Sequence, residues 1–230
     1  MNKAVKRIVK DIKELEKSPI QKVFYAPDEE DIFRGYALIK GCEGTPYAYG
    51  NYMFEFIFSE DYPFKPPVVK FKTYDGYTRF NPNLYRDGKV CLSILNTWSG
   101  EKWSSCQSIS TILLNLQMVL NETPLLNEPG IDKKTHDNLI KGYTEIIEYK
   151  NIYTSVLKYL NKNELDTKFQ QFYPEIVKTF IEDYDNIFDF SKSKLNKISQ
   201  NIQIYGMRNV NLNYSRLCEL LQITRSELIE

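Results

Sequence analysis

An α+β fold is predicted by three observations: an amphipathic helical opening, four strand-like runs in close succession, and helical periods that fill the remainder around one long irregular segment. Sequential strands with short connections usually pair with their neighbours, so the four runs form an antiparallel meander. At 230 residues the chain suffices for one large domain, or for a core domain with an appendage, and either buries a full core without disulfides.

The first helix spans residues 3 to 17, where Val5, Ile8, Ile12 and Leu15 share one face while Lys6, Arg7, Lys10 and Lys13 fall elsewhere. Ser18-Pro19 ends it. The strands are Val23 to Tyr25, Ile32 to Ile39, Tyr52 to Phe58 and Val68 to Phe71, separated by turn clusters at Pro27-Asp28, Gly41 to Pro46 and Asp61 to Pro67. In the third strand Tyr52, Phe54, Phe56 and Phe58 alternate with Met53, Glu55 and Ile57, which turns an aromatic face toward the helices. Pro63, Pro66 and Pro67 fit only a rigid exposed connection or a sheet edge.

From about Tyr74 to Lys102 no helical period holds, and so long an irregular segment in a compact domain points to function. Ser104 or Ser105 then caps a helix reaching about Asn121, with Ile109, Ile112, Leu113, Leu116 and Leu120 buried. A loop rich in Pro, Asn and Glu covers residues 122 to 130, and residues 133 to about 161 read as a further helix. Asn161-Lys162-Asn163 marks the boundary between a core of residues 1–162 and a helical extension of residues 163–230. In the extension, Phe169 to Phe188 is helical with Pro174 in its first turn, a polar stretch follows from Ser191 to Gln203, and a last helix begins near Asn213.

Thirty basic and thirty acidic residues cancel, so no global field draws the chain to nucleic acid or to an anionic membrane. Cys42, Cys91, Cys106 and Cys218 show no zinc-ligand spacing and His136 is the single histidine, which argues against a metal site or other cofactor. No apolar run approaches a membrane span, and the N-terminus is charged and amphipathic rather than a signal peptide. The expectation is a soluble, intracellular protein, cytoplasmic or nuclear, with reduced thiols.

The chemistry concentrates between Thr78 and Ser110. Asn83 lies eight residues before Cys91, and the intervening Arg86-Asp87-Gly88 is a turn signal that can fold an amide back toward a thiol. A cysteine suits acyl transfer because its sulfur forms an intermediate that an amine can still break.

Tyr62-Pro63-Phe64-Lys65-Pro66-Pro67, followed by Asn81-Pro82-Asn83 and then by Cys91-Leu92, resembles the core of the ubiquitin-conjugating enzymes. So do Thr45-Pro46-Tyr47 with Gly50, and Ala4 to Lys10 in the first helix. The resemblance covers about residues 4 to 160. It is closest to the larger members with an insert after the cysteine and a C-terminal helical extension, through Cys91 to Leu95, Thr97-Trp98-Ser99-Gly100, Trp103-Ser104 and Asn127-Glu128-Pro129-Gly130. It implies the ubiquitin-conjugating-enzyme fold and a transferase of an ATP-dependent pathway. Such an enzyme accepts ubiquitin or a ubiquitin-like modifier from an activating enzyme as a thioester and passes it to a lysine of a protein substrate.

By that resemblance Cys91 is the thioester carrier. Asn83 either donates to the oxyanion of the attacked thioester or braces the loop. Asn81 stands where the family usually has a loop-organising histidine, with Pro82 completing the structural motif. Glu128 matches an acidic gate residue beside the cysteine that can orient the incoming amine, its alternative being a solvated loop acid. Lys6, Arg7 and Lys10 match positions that engage the activating enzyme, against the plain reading of a solvated face. Phe64 matches a ligase-contact position, and Ser105 falls in the second ligase loop, where Ser104-Ser105-Cys106 replaces the common Ser-Pro-Ala. Ser93 stands where many relatives carry aspartate. Two readings compete: a catalytically silent adaptor on the same fold, and a thiol hydrolase pairing Cys91 with His136.

Overall fold

The computed structural model describes residues 2–197 and 199–229. Helix α1 (Lys3–Lys17) opens on Asn2, whose side chain accepts from the Ala4 N–H, and is followed by strands β1 (Val23–Pro27), β2 (Arg34–Lys40), β3 (Asn51–Ile57) and β4 (Val68–Phe71). The strands form one antiparallel sheet in sequence order, with Leu38 opposite Met53 and Phe54 opposite Phe71. This is the meander that short connections impose.

Residues on opposed positions of paired strands share a face. Ala37, Ile39, Tyr52, Phe54 and Phe56 line the inner face, where Phe54 packs on Phe71 and Phe71 on Phe80. The outer face carries Tyr36, Leu38, Lys40, Met53 and Glu55, and it too is buried. The alternation in β3 therefore marks two covered faces rather than one. The cover comes from the extension: a 3₁₀ segment (Thr167–Phe172) sets Phe169 edge-on against Tyr36 at 5.3 Å, and helix α4 (Tyr173–Ser193) brings Thr179 to the Lys40 ammonium. Lys168 Nζ lies 2.7 Å from the buried Asp28 carboxylate, which also accepts from Tyr36 and from the Glu30 and Asp31 N–H groups. One apolar cluster includes residues from both sides of Lys162.

Helix boundaries differ from the sequence reading. Helix α2 (Ile109–Val119) starts at Ser108, not at Ser104 or Ser105. Residues 104 to 107 instead close a turn, with Gln107 N–H donating to the Ser104 carbonyl, while Thr111 Oγ1 accepts from Ser108 N–H. Helix α3 (Asp137–Lys150) begins four residues later than residue 133, because the Asp132 carboxylate ties up the Lys134 and Thr135 N–H groups in a turn. It then widens into a π-helical segment (Asn151–Lys158), where Asn51 Nδ2 takes the Ser155 carbonyl and Asn151 bridges the Ala48 carbonyl and the Tyr52 hydroxyl.

Past Lys162 a short hairpin of β5 (Ser199–Gln200) and β6 (Val210–Asn211) precedes α5 (Tyr214–Ile229), which packs on α4. No described helix is long and apolar enough to cross a membrane, and among the described residues no cluster of three His, Cys, Asp or Glu could hold a metal ion.

Candidate active site

Residues 74 to 102 contain a single short 3₁₀ turn, Ser93–Leu95, and isolated bridges that join Leu84 to Asn81 and to Val90. The chain reverses at Gly88, whose φ of 88° falls in the left-handed region that glycine adopts without strain. That reversal returns Cys91 to Asn83: Cys91 N–H donates to the Asn83 carbonyl at 2.8 Å, and Asn83 Nδ2 donates to the Cys91 carbonyl at 2.7 Å. The amide therefore meets the backbone of Cys91, and its buried Oδ1 has no partner among the described residues.

Asn81 organises the same loop. Its Nδ2 donates to the Tyr47 hydroxyl at 2.8 Å and to the Val119 carbonyl at 2.7 Å, and its Oδ1 accepts from Asn83 N–H at 2.9 Å. Two of these three bonds hold backbone groups, which the amide's paired donor and acceptor allow. Pro82 is buried beside it, and its carbonyl accepts from Arg79.

Cys91 is 1% exposed and is one of four free cysteines. Thr97 clamps its flanks: the Thr97 hydroxyl donates to the Val90 carbonyl at 2.8 Å and accepts from Leu92 N–H at 3.0 Å. A groove of about 610 Å³ runs along this flank, lined by Val90, Leu95 and Thr97 together with Lys65, Lys70 and Lys89. The insert after the cysteine folds back so tightly that a Cβ on Gly100 would sit 3.1 Å from Ser93 Cβ, and Trp103 N–H closes its base on Asn96 Oδ1 at 3.1 Å.

Glu128 ends the 3₁₀ turn Pro124–Asn127, and Asn127 Nδ2 donates at 3.3 Å to the same Val119 carbonyl that Asn81 uses. The glutamate loop and the asparagine loop thus share one acceptor. The Glu128 carboxylate accepts from the Tyr205 hydroxyl, a contact invisible to the sequence reading. Burial and this carboxylate push the Tyr205 hydroxyl well above the ordinary tyrosine range.

The residues that the resemblance matched to partner contacts divide. Lys6 and Lys10 are exposed on α1, whereas Arg7 is engaged: Nε donates to Asp11 at 2.7 Å, Nη1 to the Ser105 carbonyl at 2.7 Å and Nη2 to the Gln107 carbonyl. Asp11 is 1% exposed and also accepts from the Tyr62 hydroxyl. Phe64 is 75% exposed, and Trp103 Nε1 donates to the Pro63 carbonyl at 2.6 Å, so the proline-rich loop and the Ser105 loop form one surface beside α1. His136 Nδ1 accepts from the Asp132 N–H and bonds the Thr135 hydroxyl, and among the described residues it makes no hydrogen bond to Cys91.

Sequence reasoning missed Asp11, Thr97 and Tyr205. An acid inside an amphipathic helix reads as solvated, and threonine in a loop carries no signature. For Tyr205 a signal existed: Ile204, Tyr205 and Met207 form an apolar group just past the polar stretch that ends at Gln203.

Comparison with known proteins extends the geometry. The family model described as ubiquitin-conjugating enzyme matches residues 7–153. Ubiquitin-conjugating enzyme E2 Z of Xenopus tropicalis is 37% identical over 232 residues, covering 100% of this chain and 73% of its own. The Homo sapiens E2 Z is 37% identical over 226 residues, covering 97% of this chain and 63% of its own. The structure of human ubiquitin-conjugating enzyme E2 G1 aligns with a TM-score of 0.47 and 28% identity over 52% of this chain and 96% of that one. With the match running from the first helix through the sheet, the Asn81 to Cys91 loop and the helices behind it, the chain belongs to the ubiquitin-conjugating enzyme family.

Proposed function

We propose that Cys91 is the sulfur on which this ubiquitin-conjugating enzyme carries its modifier, ubiquitin or a ubiquitin-like protein. The observation that supports it is the reciprocal Asn83–Cys91 clasp, which fixes this cysteine alone within the motif loop. In charging, Cys91 Sγ attacks the modifier's C-terminal carbonyl; the new S–C bond replaces the one to the activating enzyme, whose thiolate leaves. In transfer, a lysine Nζ attacks the same carbonyl, the C–N bond forms, the C–S bond breaks and Cys91 departs as thiolate. The lysine, with an ordinary pKa of about 10.4, must shed a proton on the way.

Within this reading Asn83 braces the resting loop through the Cys91 carbonyl, and the same amide donates to the oxyanion that forms at transfer. Glu128 orients the amine. Lys6 and Lys10 offer exposed charge to the activating enzyme while Arg7 holds the Ser105 loop in place, and Phe64 with that loop forms the face offered to a ligase. Residues 163–229 act as part of the catalytic domain, since they supply the cover of the sheet.

A charging panel tests the proposal. The wild type is mixed with ATP, activating enzymes and several modifiers, then run on reducing and non-reducing gels. A reducible adduct that disappears in Cys91→Ala is expected. If no modifier gives one, or if Cys91→Ala gives the same adduct, the carrier assignment fails and the silent-adaptor reading takes its place.

A further inference from the structure

The loop between β5 and β6 is far from the active site in sequence and adjacent to it in space. The Tyr205 hydroxyl donates to Glu128 Oε2, and its ring centre lies 4.4 Å from the Arg79 guanidinium, which also stands over the Tyr85 ring at 3.5 Å. Arg79 in turn donates to the Pro82 carbonyl at 2.5 Å, next to Asn83. Its buried Nε has no partner among the described residues, where the two aromatic rings and that carbonyl hold the cation. Around this centre, Arg86 donates to the Tyr205 carbonyl, and the Arg208 N–H donates to the Tyr77 hydroxyl at 2.8 Å. Tyr143 donates to the Arg79 carbonyl at 2.8 Å and meets the Tyr205 ring edge-on at 6.0 Å.

The backbone shows that this placement is specified. Tyr205 has a φ of 53°, in the left-handed region that a bulky side chain rarely enters and that surrounding contacts must maintain. Residues held this way recur at sites where orientation matters.

We infer that Tyr205, contributed by the C-terminal extension, is a positioning residue of the transfer reaction: its hydroxyl anchors one oxygen of Glu128 while its ring steadies Arg79 beneath the Pro82–Asn83 turn. With Oε2 held, Oε1 accepts no hydrogen bond from the described residues and is left for the incoming amine. The inference rests on the reading of Glu128 as the amine-orienting acid. It gives the extension a part in the chemistry beyond covering the sheet.

The test is single-turnover discharge of preformed, purified ubiquitin thioester to free lysine, so that charging does not enter the rate. Tyr205→Phe keeps the ring on Arg79 and removes the hydroxyl; Tyr205→Ala removes both. The expected loss in Tyr205→Phe is about fivefold, equivalent to about 1 kcal/mol in the barrier. Glu128→Gln should also slow discharge, and the double variant Tyr205→Phe/Glu128→Gln should be no slower than Glu128→Gln alone. The Tyr205→Phe deficit should appear in the half-saturating lysine concentration and should narrow as pH rises from about 7 to about 9.5, where more amine is already neutral. A purely structural tyrosine predicts that Phe restores what Ala loses, and that result overturns the inference. Faster discharge in Tyr205→Phe overturns it too, since the bond would then be withholding Glu128. If Glu128→Gln discharges at the wild-type rate, the gate reading fails and this inference fails with it. A slow Glu128→Gln beside a normal Tyr205→Phe sinks this inference alone.

Discussion

Asn83 and Cys91 hold each other by two hydrogen bonds that run in opposite senses, each backbone carbonyl accepting from a group on the other residue at 2.7 to 2.8 Å. The proposed carrier and the amide proposed to assist it therefore cannot shift independently. A substitution at one is felt at the other before any substrate binds.

Replacing Asn83 with alanine should slow discharge of the Cys91 thioester by about 10²-fold or more, the scale of losing an oxyanion donor. It should also lower stability by about 1 to 3 kcal/mol, because the Cys91 carbonyl loses its partner. Asn83→Asp keeps the shape without the donor, so it separates shape from hydrogen bonding. Discharge of either variant at the wild-type rate removes Asn83 from the transfer step and leaves it only the brace, which urea unfolding would register.

Arg7→Ala should destabilise the protein by about 2 to 4 kcal/mol, since it strips the buried Asp11 of its cation and frees the Ser105 and Gln107 carbonyls. Lys6→Ala and Lys10→Ala, both on exposed side chains, should leave the unfolding midpoint within about 0.5 kcal/mol of wild type. The contrast decides how activating-enzyme assays are read. A charging defect in Arg7→Ala that vanishes at low temperature is a folding defect, whereas one in Lys6→Ala belongs to the interface.

Lys40 carries an unusual pH signature. Burial under α4 lowers its pKa from 10.5 to about 8, with the carboxylates of Glu175, Asp183 and Glu182 only partly opposing the shift. Between those values the unfolded chain holds a proton that the folded one has released, so this group's contribution to stability rises with pH from about 8 toward 10.5. At neutral pH the gap corresponds to a burden on the order of 3 kcal/mol. Lys40→Met should therefore raise the urea midpoint at pH 7 and flatten its climb toward pH 10. Unchanged slopes in both proteins would remove Lys40 as the source.

The Asp28 carboxylate has the opposite sign. The Lys168 ammonium and then the Glu30 N–H hold it well below the usual carboxylate range. Its stabilising contribution is therefore fully present above about pH 4 and is lost as pH falls toward the depressed folded value. Protection against hydrogen exchange near Phe169 and Tyr36, taken relative to the intrinsic rate at each pH, should fall on acidification well before that of α2, and Asp28→Asn should show the lowered protection already at neutral pH. Synchronous exchange of both regions would mean that this ion pair is no separate clasp.

Much of this arrangement was legible in the chain. Alternation in Tyr52 to Phe58 located a strand, turn residues at Arg86 to Gly88 located the reversal, and Cys91 stood out because one motif frames it. These signals are local, and the physics behind them acts over a few residues. What escaped reading depends on residues meeting from distant segments. Asp11 is an acid on a basic helix until Arg7 and Tyr62 converge on it, and Ser108 outcompetes Ser104 as cap only because residues 104 to 107 prefer to close a turn. Glu55 and Met53 look like the wet side of a strand because nothing in their own period announces Phe169 or α4, over a hundred residues away. Tyr205 is a further case, since its ring partner Arg79 and its hydrogen-bond acceptor Glu128 both come from the catalytic core, far from it in sequence.

The cover that the 3₁₀ segment and α4 lay over the outer sheet face bears on where the polypeptide can be cut. A fragment ending near residue 162 would uncover Tyr36, Leu38 and Met53, now 0 to 3% exposed, and would leave Asp28 without its ammonium. Contiguous apolar surface of that kind makes chains adhere to one another. A shortened gene product would then be recovered as aggregate, and a lost activity in it would report insolubility rather than a missing regulatory tail.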